Sequence, residues 1–153
     1  KVQKLYENQV RGQKSNYVEV PTDCPQRDER MGYTGDGQVF ALTGAYNFDT
    51  NDFWKNFLRD LELGQLDNSE GYVCATVPQT GPAGIGFVNM LGWGNAVTIL
   101  PELMYWQFGD EKALPQQYES MKKFVEAEIR KMEGRNLWLG VIIPFPIPLS
   151  YMT

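Results

Sequence analysis

The sequence PTDCPQRDERMGYTGDGQVF, residues 21–40, combines charged side chains with prolines and glycines. Its fourteen positions from Asp23 to Asp36 hold four carboxylates and two guanidinium groups. Neither the helical period nor the strand period of apolar residues runs through it, so it predicts a loop of about 15 residues. A loop of that length in a compact domain is typically functional. Its closely spaced prolines, glycines and opposite charges favour a fixed shape over disorder.

The composition of the chain limits its partners. The 153 residues suffice for one domain with a core, and the formal net charge is −5. An acidic chain is a poor partner for nucleic acid or for an anionic membrane, so we expect neither. The longest apolar run, from Val141 to Leu149, is far short of a membrane span. A neutral sugar or small molecule suits this charge better.

The chain has no histidine, which excludes the usual catalytic triads and disfavours most transition-metal sites. Acid–base chemistry must then come from carboxylates, Lys, Tyr or Cys. We expect the two cysteines, Cys24 and Cys74, to be free thiols. No cofactor and no metal are predicted. The alternative is a calcium site built from Asp23, Asp28 and Asp36, although their spacing does not fit an EF-hand loop.

Apolar periodicity predicts helices on both sides of the loop. A weak helical stripe covers residues 1–13. Residues 36–47 and 93–108 are apolar nearly all round, which is typical of buried helices, and Pro101 predicts a kink in the second of them. Residues 51–66, and the segment from Pro115 to a stop at Gly134, are amphipathic and predict surface helices.

Finer expectations follow from the same patterns. Thr34 or Asp36 is expected to cap the helix after the loop, and Asn51 or Asp52 the next helix. Trp54 and Trp106 are expected in the core. The last helix should bury an apolar face, which consists of Tyr118, Met121, Val125, Ile129 and Met132.

The helices thus alternate between buried and surface types, with a long connection over residues 67–92 and no strand pattern of useful length. This order predicts an all-α fold in which helical hairpins form part of an (α/α) toroid. In a toroid the inner helices begin at a shared rim. The loop ending at Asp36 and the turn Gly92-Trp93-Gly94 should therefore lie around one mouth.

The residues also carry a resemblance to a known family. The run from residue 21 to residue 40 resembles the signature of the bacterial α-L-rhamnosidases of glycoside hydrolase family 78. Three flanking features are similar in the same order: Ser15-Asn16-Tyr17, the helix Phe57-Leu58-Arg59-Asp60-Leu61, and the turn Gly92-Trp93-Gly94. Residues 118–122 are a weaker likeness. The resemblance implies an (α/α)6 barrel, of which residues 1–136 would form an incomplete part.

Family members are inverting hydrolases that remove terminal α-L-rhamnose, so the resemblance implies a rhamnose-containing glycoside as partner. Glu29 corresponds to the general acid. Asp23, Arg27 and Asp36 match residues that hold the sugar. Tyr33 stands where the family often has an aromatic residue, commonly Trp, and Trp93 matches an aromatic residue of the pocket wall.

The chain departs from the family pattern in three ways. Asn95 stands where the family often has Asp. The general base, a glutamate much later in the barrel, has no counterpart, so we expect the chain alone to be inactive. Residues 137–153 form an atypical apolar, proline-rich tail. We also expect a homo-oligomer, because an incomplete barrel leaves apolar helix faces uncovered.

Alternatives stay open at this point. The charged residues of the loop could form salt bridges that only fix the shape of the loop. Trp93 could be a core residue rather than a sugar platform. The whole chain could be a non-catalytic carbohydrate-binding or assembly module on the same helical scaffold, or a truncated product without function.

Overall fold

The computed structural model describes residues 1–79, 90 and 92–132. These residues form five α-helices: α1 (Val2–Asn16), α2 (Thr34–Asn47), α3 (Asn51–Leu66), α4 (Ala96–Phe108) and α5 (Ala113–Lys131). Within this part of the chain there is no strand, only three isolated β-bridges. The predicted all-α fold class is confirmed.

Helix α4 lies at the centre of the packing. It contacts α2, α3 and α5, and α3 also packs against α5. The core between them is built from side chains that are fully buried: Trp54, Phe57, Leu58 and Leu61 from α3, and Ala96, Val97, Leu100 and Met104 from α4. Burial of such side chains is the main favourable term in folding, so this core positions the elements that carry the site.

Helix α3 has the predicted bounds and the predicted apolar face. Its N-cap residue is Thr50, however, and not Asn51 or Asp52. The Asn51 side chain instead donates to Asp110 Oδ2 at 3.0 Å, which ties the start of α3 to the turn before α5. The core residue Trp54 is confirmed.

The prediction that α2 is buried all round is wrong. Its buried positions are mostly glycine and alanine, including Gly37, Ala41 and Gly44, whereas Val39 and Tyr46 are 81% and 73% exposed. The small residues are required by close neighbours, since a Cβ on Gly44 would lie 2.7 Å from the Gln13 amide nitrogen. Packing through the small face turns the large side chains outward.

The predicted face of α5 is wrong for three of its five residues, although Met121 does pack against the core. Tyr118, Val125 and Ile129 are exposed. The buried positions are Ala113, Gln117, Ser120, Phe124, Ala127 and Glu128. Apart from Phe124 these are small or polar side chains, and Ser120 donates its hydroxyl to Gln65 Oε1 at 2.8 Å, a buried contact between α5 and α3.

Several helix ends differ from the prediction. α1 continues to Asn16, α2 begins at Thr34 without a side-chain cap, and α5 begins at Ala113. α4 begins at Ala96 because residues 92–95 form a turn. It ends at Phe108, and the C-cap residue Gly109 has a left-handed φ of 65°, which is typical of a helix stop.

The prediction that Trp106 is a core residue is wrong, because its side chain is 75% exposed on α4. Ile99 on the same helix and Val39 and Tyr46 on α2 are also exposed. Self-association through such apolar faces stays a prediction.

None of the described helices is long and apolar enough to cross a membrane. Gly134, the predicted tail at residues 137–153 and much of the predicted connection between α3 and α4 lie outside the described residues.

Candidate active site

The loop between α1 and α2 is closed at its base by backbone contacts. Thr22 and Gly32 form an antiparallel bridge, and the Asp23 amide donates to Met31 O at 2.8 Å. The two ends of the segment 24–30 therefore lie side by side, and this segment forms an excursion from the closed base of the loop. Within this excursion the Arg27 amide donates to Cys24 O at 3.1 Å. The charged part of the loop is thus folded back on itself.

The return arm of the loop is pinned to residues 74–77. The Thr34 amide donates to Ala75 O, and the Val77 amide donates to Gly32 O, both at 2.8 Å. The Thr34 hydroxyl, predicted as a helix cap, also donates to this segment. A Cβ on Gly32 would lie 2.4 Å from Val77 O, so only glycine allows this approach. The start of α2 is therefore fixed relative to the segment that follows α3.

Glu29 is held by two neighbours in this loop. The Tyr33 hydroxyl donates to Glu29 Oε1 at 2.9 Å. The Arg27 guanidinium pairs with the other oxygen, Oε2. The Glu29 side chain is 26% exposed and that of Arg27 is 62% exposed. Glu29 is therefore a half-buried carboxylate that accepts a hydrogen bond from Tyr33 and pairs with Arg27, a cation that faces solvent.

Asp23 and Cys24 lie beside Glu29. One potential ligand atom from each of the three residues falls within 4.8 Å of the others, the only such trio among the described residues. The Cys24 thiol donates to Asp23 Oδ1 at 3.2 Å. This bond to Asp23 is the main reason that the pKa of the Cys24 thiol is raised, so the thiol stays protonated as a donor.

Asp36, in the first turn of α2, belongs to the same electrostatic cluster. Partial burial, and then the negative charge of Asp23, raise the pKa of the Asp36 carboxyl. The charge of Glu29 acts in the same direction. Three of the predicted site carboxylates, Asp23, Glu29 and Asp36, are therefore close enough to influence one another.

Trp93 lies against the beginning of α2. A Cβ on Gly35 would be 2.8 Å from three atoms of its indole ring, so the ring packs directly on the glycine backbone. The Gln38 side chain donates to Gly92 O and links the helix to the Trp93 turn. A cavity of about 520 Å³ opens here, lined by Gly35, Asp36, Gln38, Val39, Phe40, Gly92 and Trp93. The Trp93 side chain is 36% exposed, so it is only partly buried.

A second cavity, of about 290 Å³, lies between the loop and α1. Asp23, Asp36 and Phe40 line it together with Gln9, Gly12, Gln13, Asn16, Tyr17, Pro21, Thr22 and Gly37. Asp36 therefore borders both cavities. Sequence reasoning missed the contribution of α1, although Gln9, Gln13 and Asn16 recur at four and three residues and so share one helix face.

Two charged residues of the loop are not brought into this cluster. The Asp28 side chain is fully exposed and faces Arg30 across 3.9 Å. The calcium alternative built from Asp23, Asp28 and Asp36 is therefore not supported. Cys24 and Cys74 are free thiols, as predicted. The remaining cluster offers carboxylates, a guanidinium and aromatic faces, which together can hold a polyhydroxylated ring.

Comparison with known proteins gives the cluster a family context. The model of the bacterial alpha-L-rhamnosidase 6 hairpin glycosidase domain matches residues 1–142. An alpha-L-rhamnosidase of Formosa agariphila is 42% identical over 125 residues, which are 82% of this chain and 13% of that protein. One from Alteromonas sp. (strain LOR) is 40% identical over 127 residues, again 82% and 13%.

Solved structures agree with this match. The structure of Streptomyces avermitilis alpha-L-rhamnosidase complexed with L-rhamnose superposes with a TM-score of 0.79 and 35% identity, covering 85% of this chain and 12% of that chain. The alpha-L-rhamnosidase from Dictyoglumus thermophilum gives a TM-score of 0.73 and 34% identity, covering 80% of this chain and 13% of that chain.

The chain thus spans about an eighth of the length of the relatives it matches. The predicted architecture, in which helical hairpins form part of an (α/α) toroid, is confirmed. The likeness covers the loop, the start of α2 and the Trp93 turn together with the helices that position them. The chain belongs to the bacterial α-L-rhamnosidase six-hairpin glycosidase domain family.

Proposed function

We propose that this chain forms the acid-bearing part of the active site of an inverting glycoside hydrolase that removes terminal α-L-rhamnose from glycosides. The observation that carries the proposal is the cluster of Asp23, Arg27 and Glu29 beside Tyr33, to which Asp36 is electrostatically coupled. Asp36 in turn borders a cavity together with Trp93. The names of the relatives supply the sugar.

In the proposed reaction Glu29 is the general acid. It gives its proton to the glycosidic oxygen while the bond from that oxygen to the anomeric carbon breaks, and the bonding electrons stay with the departing oxygen. A water molecule attacks the opposite face of the sugar, and a second carboxylate takes the proton of that water. Glu29 is left ionised and is reprotonated from solvent before the next turnover.

The spacing of the carboxylates argues that the base lies elsewhere. An inverting pair is separated by about 6.5–9.5 Å, which leaves room for the water. Potential ligand atoms of Asp23 and Glu29 lie within 4.8 Å of each other, so Asp23 is too close to be that base. Asp23 and Arg27 instead suit hydrogen bonds to vicinal sugar hydroxyls. The base would belong to a later part of the toroid.

Asp36 and Trp93 would complete the sugar site. Partial burial and the charge of Asp23 raise the pKa of Asp36, and its ionised carboxylate can accept hydrogen bonds from sugar hydroxyls. The indole face of Trp93 offers an apolar surface for the deoxy-sugar. The 520 Å³ cavity between them is large enough for a single monosaccharide.

The decisive experiment is Glu29→Gln in the complete gene product that contains this chain. Turnover of an aryl α-L-rhamnoside should fall by a factor of about 10²–10⁴, because general acid catalysis typically contributes that much. Asp28→Asn is the matched control, since Asp28 is exposed and points away from the cluster. An unchanged rate for Glu29→Gln eliminates Glu29 as the acid.

Two further measurements separate the alternatives. Proton NMR of the first-formed rhamnose should show the inverted anomer, whereas retention would point to Asp23 as a nucleophile. Calorimetry of the 153-residue chain should show rhamnose binding, and incubation of the same chain with an aryl α-L-rhamnoside should show little hydrolysis. Binding without turnover in the complete gene product as well would favour a non-catalytic carbohydrate-binding module.

A further inference from the structure

We propose that the Tyr33 hydroxyl is a positioning group, which holds Oε1 of Glu29 and so selects Oε2 as the oxygen that delivers the proton. The inference rests on the proposed function, in which Glu29 is the acid. It goes beyond the role that the family resemblance gives to Tyr33, which is that of an aromatic wall against the sugar.

Tyr33 is a well-fixed anchor. It is the N-cap residue of α2, and its carbonyl accepts from the Gly37 amide at 2.9 Å. Its backbone also bridges to Thr76, in the segment that pins the return arm of the loop. Glu29 lies four residues earlier, in the part of the loop that leaves and returns. A hydrogen bond of 2.9 Å from Tyr33 Oη to Glu29 Oε1 therefore transfers the rigidity of the helix start to the acid.

The hydroxyl makes the two oxygens of Glu29 inequivalent. A phenol has one hydrogen, and here it is donated to Oε1. When Glu29 is protonated, its carbonyl oxygen is the stronger acceptor, so the bond from Tyr33 to Oε1 favours the proton on Oε2. Burial raises the pKa of Tyr33, and so do the hydrogen bond to Glu29 and the charges of Asp23 and Asp36. Tyr33 therefore remains a donor across the neutral pH range.

Arg27 occupies the position from which the proton would leave. Its guanidinium pairs with Oε2, and because a guanidinium has donors only, this pairing favours the ionised oxygen and weakens when Oε2 is protonated. Because the Arg27 side chain is 62% exposed, it can turn toward a sugar hydroxyl without disturbing packed residues. Tyr33 keeps its bond to Oε1 during that exchange. Tyr33 is therefore the fixed donor to Glu29, and Arg27 is the exchangeable donor.

The test is Tyr33→Phe in the complete gene product, with substrates that differ in their leaving group. Phenyl α-L-rhamnoside needs a proton on its departing oxygen, whereas the 2,4-dinitrophenyl glycoside does not. We expect kcat to fall about tenfold for the phenyl glycoside and less than about twofold for the dinitrophenyl glycoside, with KM unchanged. Phe keeps the aromatic ring, so the variant removes only the hydroxyl.

Tyr118→Phe is the matched control, because Tyr118 is an exposed tyrosine on α5, away from the loop. It should keep the wild-type values for both substrates. Equal losses for both leaving groups in Tyr33→Phe, or a higher KM alone, would assign Tyr33 to sugar binding and overturn the inference. An unchanged kcat for the phenyl glycoside overturns it as well.

A second readout needs no turnover. The ionisation of Tyr33 is isolated by subtracting the ultraviolet titration curve of the Tyr33→Phe variant from that of the 153-residue chain. In Glu29→Gln this ionisation should move to lower pH, because the charged acceptor is gone. An unmoved ionisation shows that the bond to Glu29 is absent and overturns the inference, whatever the role of Glu29. A fully active Glu29→Gln variant overturns the proposed function instead, even where the Tyr33 ionisation does shift.

Discussion

Gly35 supports Trp93, and replacing it with alanine tests that contact directly. The added Cβ would lie 2.8 Å from Cδ1, Cε2 and Nε1 of the indole, whereas ordinary contact begins at 3.4 Å. The ring must therefore retreat by about 0.6 Å or turn away from α2. Since the indole is already 36% exposed, turning outward is open to it, and the wall of the 520 Å³ cavity would move.

The expected effect on stability is a balance of two terms. Alanine in a helix is favoured over glycine by about 0.5–1 kcal/mol, and by less in the first turn, where Gly35 lies. Overpacking typically costs about 1–3 kcal/mol. We therefore expect Gly35→Ala to lower the free energy of unfolding by about 1–2 kcal/mol.

Gly64 provides a matched control. It lies inside α3, and a Cβ there would meet nothing within 4 Å. Gly64→Ala should raise the free energy of unfolding by about 0.5–1 kcal/mol, because only the helix preference remains. Urea denaturation of the two variants, followed by circular dichroism, measures the difference between them.

Trp93 itself is followed by fluorescence and by ligand binding. The emission of Trp93, obtained by subtracting a Trp93→Phe variant, should shift to the red in Gly35→Ala. Rhamnose affinity by calorimetry should fall about tenfold, as expected when an aromatic contact of about 1–1.5 kcal/mol is lost. A Gly35→Ala variant that is stabilised like Gly64→Ala, with unchanged emission and affinity, would refute the reasoning.

Two further predictions concern the scaffold. Hydrogen bonds from Lys55 and then from Asn51 lower the pKa of Asp110 to about 2 from 3.8. The stabilisation of the fold by ionised Asp110 is therefore complete above pH 4 and is lost as the pH falls toward 2. After allowance for solvent screening, the free energy of unfolding measured with urea should fall by about 1 kcal/mol more for the wild type than for Asp110→Asn over that pH range. Equal losses in the two proteins would contradict the assignment. Gln65→Leu should destabilise the chain by about 2–4 kcal/mol at pH 7, because Gly71 O and Ser120 O lose a buried donor. A loss below about 1 kcal/mol would show that water replaces it.

The number and order of the helices followed from apolar periodicity, because long patterns average out local exceptions. The orientation of individual helices did not. In α2 the glycines and alanines form the buried face, which a count of large apolar residues cannot reveal. In α5 the Gln65–Ser120 contact draws a polar side inward. Both faces are decided by the neighbouring helix, which sequence periodicity does not describe.

The candidate site residues of the loop were proposed from the resemblance of residues 21–40 to a family signature, and the Trp93 turn was placed near the loop because inner helices of a toroid share a rim. The partners of each side chain could not be predicted. Whether Arg27 pairs with Glu29 or Asp28 depends on the backbone path of residues 24–30, which is left-handed at both Cys24 and Arg30. Non-glycine residues in that conformation carry no clear sequence signal.

Among the described residues, the loop that carries Glu29 is shaped by contacts within residues 16–34 and by several contacts from residues 32–34 to residues 74–77. These contacts all join positions up to Val77, so none of them requires α4 or α5. Because a chain is synthesised from its N-terminal side, this loop can take its form during translation before α4 and α5 have been made.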